Sequence, residues 1–188
     1  MGFENLARAV AVLKNMPRTG WIQRGVPRGD AETVAEHTFM VTAILGYIAA
    51  SRSALHLDCE RMILMGIMHD MGEAVAGDIP RSLTERLGKD LKEEVETEII
   101  KGIFGGTDGG RLADLFIEYL QRETTESRVV KIADLLATLR QAEMYLGMGF
   151  PVSDIIESCT EEAQGMIEEI REDELRALLK SILASKGR

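Results

Sequence analysis

Cysteine is scarce in this chain: Cys59 and Cys159 are the only two in 188 residues. They stand alone, without CxxC pairing, which excludes a disulfide framework and a thiolate zinc site and fits a reducing compartment. Long apolar runs are missing too, since none approaches the ~20 residues a membrane-spanning helix needs. Glu4, Arg8 and Lys14 punctuate the first turns, so no signal peptide is expected and the cytoplasm is the expected location. Bases are outnumbered, with 22 Lys and Arg against 31 Asp and Glu and a formal charge of -9. Nucleic-acid polymers are bound by basic residues that release counterions, so such a partner is excluded. A small anionic substrate stays compatible if a metal ion or a few placed arginines supply the positive charge. Strand signals are also lacking, because no period-two alternation is sustained and Asp108-Gly109 is flanked by polar and helical segments.

What the sequence does contain is helical periodicity. With 45% hydrophobic and 28% charged residues, the chain suits one globular domain over residues 1–188, large enough to enclose a cavity. Phe3, Leu6, Ala7, Val10 and Leu13 recur as one face of an amphipathic helix. Residues 18–30 hold one Pro and three Gly and read as a long loop around Trp21, the only tryptophan; long ordered loops in compact domains are often functional. Thr33 and Glu36 have capping-box spacing, which predicts a helix over 34–51. A Met-rich helix, apolar nearly all round, follows over 58–76 and belongs in the middle of a bundle. Its Met62, Met65, Met68 and Met71 read as adaptable core filling. Ser82 and Glu85 pair as a second capping box for a charged helix ending at Gly105-Gly106. Its run Glu93, Glu94, Glu96 and Glu98 reads as a solvated face. Helices over 110–123, 127–146, 153–170 and 172–185 complete an all-α single-domain bundle, whose surplus apolar helix surface suits a homodimer.

The three histidines can be weighed singly. His56 lies in a connection away from acidic clusters, His37 in a first helical turn, and His69 within Met68-His69-Asp70-Met71-Gly72-Glu73. A carboxylate in an apolar helix costs several kcal/mol unless compensated. Glu73 lies i+4 from His69 and i+3 from Asp70, hence on the same face, and Asp78 follows the turn at Gly77. Like charges therefore converge with only Arg81 nearby, and a divalent cation resolves the repulsion. The alternative is a core histidine bonded to a carbonyl, with Asp70 in a buried ion pair. Asp134 shares a face with Val130 and Ala137, either buried among Ala and Leu or solvated beside Lys131. His37, His69, Asp70 and Asp134 would offer two imidazoles and two carboxylates, a set suited to Mn, Co, Fe, Ni, Zn or Mg.

These residues carry a resemblance. One His, then His-Asp, then a distant Asp on an all-α frame resembles the HD-domain metal phosphohydrolases. Residues 13–21 (LKNMPRTGW), Ala35-Glu36-His37-Thr38, residues 68–74, Gly77-Asp78-Ile79-Pro80 and Lys131-Ile132-Ala133-Asp134 occur in the order found in the HD-domain 5′-deoxynucleotidases. The resemblance implies that His37, His69, Asp70 and Asp134 hold a divalent metal and that the substrate is a deoxynucleoside 5′-monophosphate. It implies that Glu73 and Asp78 act around the attacking water and the leaving 5′ oxygen, or else help hold a second ion. Arg18 would orient the phosphate, and Trp21 would pack on the sugar side, with Asp78, Ile79, Pro80 and Arg81 completing the substrate contacts. In some members Arg and Trp are adjacent, whereas here Thr19-Gly20 intervenes. A loop tryptophan that simply plugs the bundle is the other reading of Trp21. Competing functions are an HD-domain phosphodiesterase or other phosphomonoesterase, and a non-catalytic metal- and nucleotide-binding regulator.

Overall fold

The computed structural model describes residues 2–54, 56–80, 83, 84, 86, 88–104 and 109–185, with Lys89 described by its backbone alone. Ten α-helices occur among them: α1 (Gly2–Leu13), α2 (Thr19–Ile22), α3 (Val34–Ala49), α4 (Cys59–Met68), α5 (Glu73–Ala76), α6 (Lys89–Phe104), α7 (Gly110–Gln121), α8 (Thr125–Gly147), α9 (Ser153–Glu168) and α10 (Asp173–Ala184). No strand lies among the described residues, and the only extended pairing there is an isolated bridge between Pro17 and Thr33. No described helix is long and apolar enough to cross a membrane.

Helix α8 is the centre, touching α3, α4, α7 and α9. It starts where Thr124 Oγ1 accepts the Ser127 N–H at 3.2 Å, an N-cap that satisfies an orphan donor. Eleven of its side chains are buried, so it holds the place expected for the helix over 58–76. That helix is broken. Helix α4 ends at Met68, and residues 69–72 form turns before the single turn of α5. The reason is local: His69 Nδ1–H donates to the Gly66 carbonyl at 2.7 Å. A side chain bonding a nearby carbonyl competes with the helical ladder. The chain continues instead through i, i+3 bonds, from Met71 N–H to Met68 O and from Glu73 N–H to Asp70 O. Met62, Met65, Met68 and Met71 are all buried, as core filling requires.

Helix α1 presents a different face from the one its pattern suggests. Ala9 and Leu13 are buried, while Phe3 is 79% exposed and Val10 is also exposed. Asn5 Nδ2–H donates to the Ile103 carbonyl at 3.2 Å, and this tether rotates residues 5, 6, 9 and 13 inward against α6. The Thr33–Glu36 capping box forms as expected, Glu36 N–H reaching Thr33 Oγ1 at 3.2 Å and Thr33 N–H reaching Glu36 Oε2 at 2.7 Å. The second box, Ser82 and Glu85, and the Gly105-Gly106 stop lie outside the described residues.

The segment between α1 and α3 is closed at its base by backbone pairing. Arg18 N–H donates to Glu32 O, and Val34 N–H to Met16 O, both at 2.9 Å. Within it Trp21 is buried, its ring edge-on to Tyr145 at 5.1 Å. Burying an indole of roughly 200 Å² stabilises by on the order of 5 kcal/mol before the entropy of ordering the segment. The Tyr145 hydroxyl adds two ties, accepting from Glu32 N–H at 2.8 Å and donating to Asp30 O at 2.9 Å. A stretch read as loop is therefore a pinned platform carrying a one-turn helix.

Candidate metal centre and substrate cleft

Helix α3 delivers His37, the end of α4 delivers His69 and Asp70, and α8 delivers Asp134. His37, His69 and Asp70 each offer a ligand atom within 4.8 Å of the others. His37 Nε2 lies 3.8 Å from Asp70 Oδ2 and 3.0 Å from Asp134 Oδ1. Both imidazoles are fully enclosed. Asp134 is shielded rather than solvated, with a side chain 14% exposed, and its other oxygen accepts from Lys131 Nζ at 2.7 Å.

The donor set fits a cation. Because His69 donates through Nδ1 to Gly66, its Nε2 faces Asp70 Oδ2 at 3.1 Å, buried and without a partner in hydrogen-bond geometry. A ring nitrogen aimed at a carboxylate oxygen repels it unless a positive centre, a proton or a metal, lies between them. The two ring nitrogens of His69 differ: Nδ1 makes a core bond to a carbonyl, and Nε2 faces the acidic cluster.

Electrostatics agree. Burial pushes His37 down to about 4, helped by Arg18 and opposed by Asp134, so the ring is neutral. Burial opposes charge on His69, but Asp70 outweighs it and raises the pKa. Burial likewise opposes ionisation of Asp70 and Asp134. His69 in the first case and Lys131 in the second overcome it and hold both carboxyls well below the usual range. Glu73 is buried, with Oε2 unpaired, and burial together with Asp70 and Asp78 pushes its pKa well up. Glu73 is thus pushed toward its protonated form, while Asp70 and Asp134 are pushed toward their ionised forms.

A cleft of about 940 Å³ opens over the group, and Arg18, Trp21, Glu73, Asp78, Ile79 and Pro80 all line it. Arg18 Nη1 stands 3.6 Å from Asp70 Oδ2; burial opposes its charge, but Asp70 and Glu32 reinforce it. Gly77 turns the chain with φ 81°, a backbone that L side chains rarely adopt. Asp78 then caps the platform, its carboxylate accepting the Thr19 N–H and its carbonyl the Thr19 hydroxyl at 3.0 Å. Arg81 lies outside the described residues. His56 is away from the cluster, 4.0 Å from Glu172.

Several cleft residues escaped the sequence reading. Glu96 is buried, 3.4 Å from Lys92, and both line the cleft. The acidic run is therefore not wholly a solvated face, although Glu94 and Glu98 are exposed. Helical spacing would have paired Lys92 with Glu96, but not shown which side of α6 faced inward. Tyr119 stands edge-on to His69 at 5.9 Å, and the Arg122 guanidinium lies 5.4 Å over the Tyr119 ring. Glu32 was also missed. It is buried, accepts the Trp21 indole N–H at 3.0 Å, and burial raises its pKa to about 7 against the pull of Arg18.

Residues 10–182 match the family model described as HD domain. The chain belongs to the HD-domain family. Curated relatives include the 5′-deoxynucleotidase HDDC2 of Bos taurus, 30% identical over 73% of this chain and 65% of that protein. The Xenopus laevis protein of the same name is 31% identical over 73% and 66%. The chain thus aligns to slightly less than two thirds of these relatives' length. Among solved structures, the PH0347 protein of Pyrococcus horikoshii superposes with a TM-score of 0.74 at 30% identity, covering 96% of this chain and 97% of that one. A conserved hypothetical protein of Pyrococcus furiosus gives 0.76 at 29% identity, over 96% and 98%. Among the described residues of this HD-domain protein, His37, His69 and Asp70 form a group that could bind a metal ion.

Proposed function

We propose that this HD-domain protein is a metal-dependent phosphomonoesterase that hydrolyses deoxynucleoside 5′-monophosphates to deoxynucleosides and phosphate. The observation that carries the reading is His69 Nε2 facing Asp70 Oδ2 at 3.1 Å beside His37, at the floor of a cleft lined by Arg18. Similarity to proteins named 5′-deoxynucleotidase supports the substrate class.

His37, His69, Asp70 and Asp134 are the proposed ligands of a divalent ion. Such an ion, when bound, supplies Lewis acidity to the phosphoryl oxygens. Arg18 offers a planar fork for phosphate oxygens, with charge that no ordinary pH removes. Glu73 is the carboxyl placed to exchange a proton with the reacting oxygens, being buried and raised in pKa. Asp78 holds Thr19, and thereby the orientation of Arg18 next to it. Trp21, Ile79 and Pro80 are assigned to the nucleoside side, where apolar walls disfavour an added 2′-hydroxyl, and Arg81 is the remaining proposed substrate contact. A second ion near Glu73 and Asp78 is the alternative use of those acids. Within the same reading the chain is one domain over 1–188 and works in the cytoplasm as a homodimer. Phe39 and Tyr47, 77% and 65% exposed on α3, are available to a second copy.

The test is phosphate release from a panel of nucleoside monophosphates, cyclic nucleotides and phosphodiesters, after dialysis and reloading with Mn, Co or Mg. Turnover of the cyclic or diester substrates alone would replace this reading with a phosphodiesterase, and no turnover with any metal would favour a regulator.

A further inference from the structure

His37 has its Nε2 in the metal cluster and its Nδ1 buried without a hydrogen-bond partner. Glu32 Oε1 stands 4.0 Å from it. Because the Asp134 carboxylate can only accept, the ring proton of the metal-free protein sits on Nε2, donated to Asp134 Oδ1 at 3.0 Å. Nδ1 then presents a lone pair, with no N–H for Glu32 to accept. Ligation through Nε2 requires the other tautomer: the Nε2 proton leaves, one is taken up at Nδ1, and the ring stays neutral. That Nδ1–H is buried, and leaving it unsatisfied costs roughly 1–3 kcal/mol. Metal-ligating histidines almost always donate their second N–H to a carboxylate, carbonyl or water.

Building on the metal site proposed above, we infer that Glu32 is the positioning residue that accepts the His37 Nδ1–H and thereby couples metal occupancy to the substrate platform. Its carboxylate has room for two donors, and the second is already in place: Oε2 holds the indole N–H of Trp21 at 3.0 Å. Its carbonyl holds the Arg18 N–H at 2.9 Å, and its own N–H is held by Tyr145. Closing the gap to His37 needs a shift of about 1 Å. The same shift alters the hydrogen bond of the chain's only tryptophan. His37 of α3 and Trp21 of the platform therefore meet at one buried side chain, whose own backbone carbonyl holds Arg18.

The sole tryptophan makes the coupling readable without turnover. Zn²⁺, which does not itself quench, is titrated into metal-free protein while Trp21 emission and equilibrium dialysis are followed. The wild type is expected to change emission with the same midpoint as the dialysis curve. Glu32→Gln keeps the volume but has one acceptor for two donors. It should bind Zn²⁺ roughly 10–100-fold more weakly and lose most of the emission change, with an unaltered far-UV spectrum. If that variant fails to fold, Glu32→Asp, which keeps the charge, should fall between wild type and a metal-site knockout. Glu32→Gln with wild-type affinity and a wild-type emission change would overturn the inference and leave the metal site standing. A wild type that takes up no Zn²⁺ would overturn both. Intact coupling in a protein without nucleotidase activity would contradict only the proposed function.

Discussion

His37 Nε2 and Asp134 Oδ1 are 3.0 Å apart, joined across α3 and α8 at the atom through which His37 would ligate. Asp134 is held in place by Lys131 on its other oxygen, so the carboxylate is fixed before any metal arrives. Among the described residues no lysine forms an ion pair with Asp70; its neighbours there are His37, His69 and Arg18. Removing it should therefore empty the site rather than distort it. Asp70→Ala is expected to reduce bound metal per chain to background and to abolish phosphate release, measured by elemental analysis of the dialysed protein alongside the activity assay. Full metal content in this variant would move the site elsewhere.

Arg18 can be separated from the metal. Its guanidinium is 3.6 Å from Asp70 but lines the cleft, and loss of a charge-assisted hydrogen bond costs about 1.5–3 kcal/mol. Arg18→Ala should lower kcat/KM about 10–100-fold, mainly through KM, with metal content unchanged. Metal loss without a change in KM would make Arg18 a support of Asp70 instead of a phosphate ligand.

Gly66 joins packing to chemistry. A Cβ there would collide with Leu45 Cδ1, and Leu45 is completely buried. Overpacking of this kind costs about 1–3 kcal/mol, or roughly 2–10 °C in Tm for a chain of this size. The same residue's carbonyl holds His69 Nδ1. Gly66→Ala should thus lower Tm and weaken metal binding together; a lower Tm with unchanged affinity would uncouple the two roles.

Metal uptake should release a proton. Burial resists charge on His69, but Asp70 raises its pKa above the ordinary 6.5, so the metal-free ring is protonated below that raised value. A metal must displace this proton. Affinity should rise with pH through the raised pKa and level off once the ring is neutral. Calorimetry in buffers of differing ionisation enthalpy measures the release directly. A pH-independent affinity from slightly acid to alkaline conditions would contradict it.

Helix identity was largely legible, because the periodicity of α3, α8 and α9 and the Thr33–Glu36 cap are local signals. The sequence spacing also pointed to His37, His69, Asp70 and Asp134. Two features were not local. The break after Met68 depends on His69 choosing the Gly66 carbonyl, a side-chain decision invisible in an apolar run. The inward faces of α1 and α6 depend on Asn5 reaching Ile103 and on Glu96 meeting the cleft, contacts made across the fold. Glu32 was hidden for the same reason: its partners Trp21, His37 and Tyr145 converge only in three dimensions.

The most direct test is phosphate release from a deoxynucleoside 5′-monophosphate and its ribonucleoside counterpart, by metal-loaded and chelator-treated protein in parallel. The account predicts turnover of the deoxy substrate only when metal is present, with a higher kcat/KM than for the ribo form. Equal turnover after complete metal removal, or no turnover of either monophosphate with any divalent ion, would contradict it.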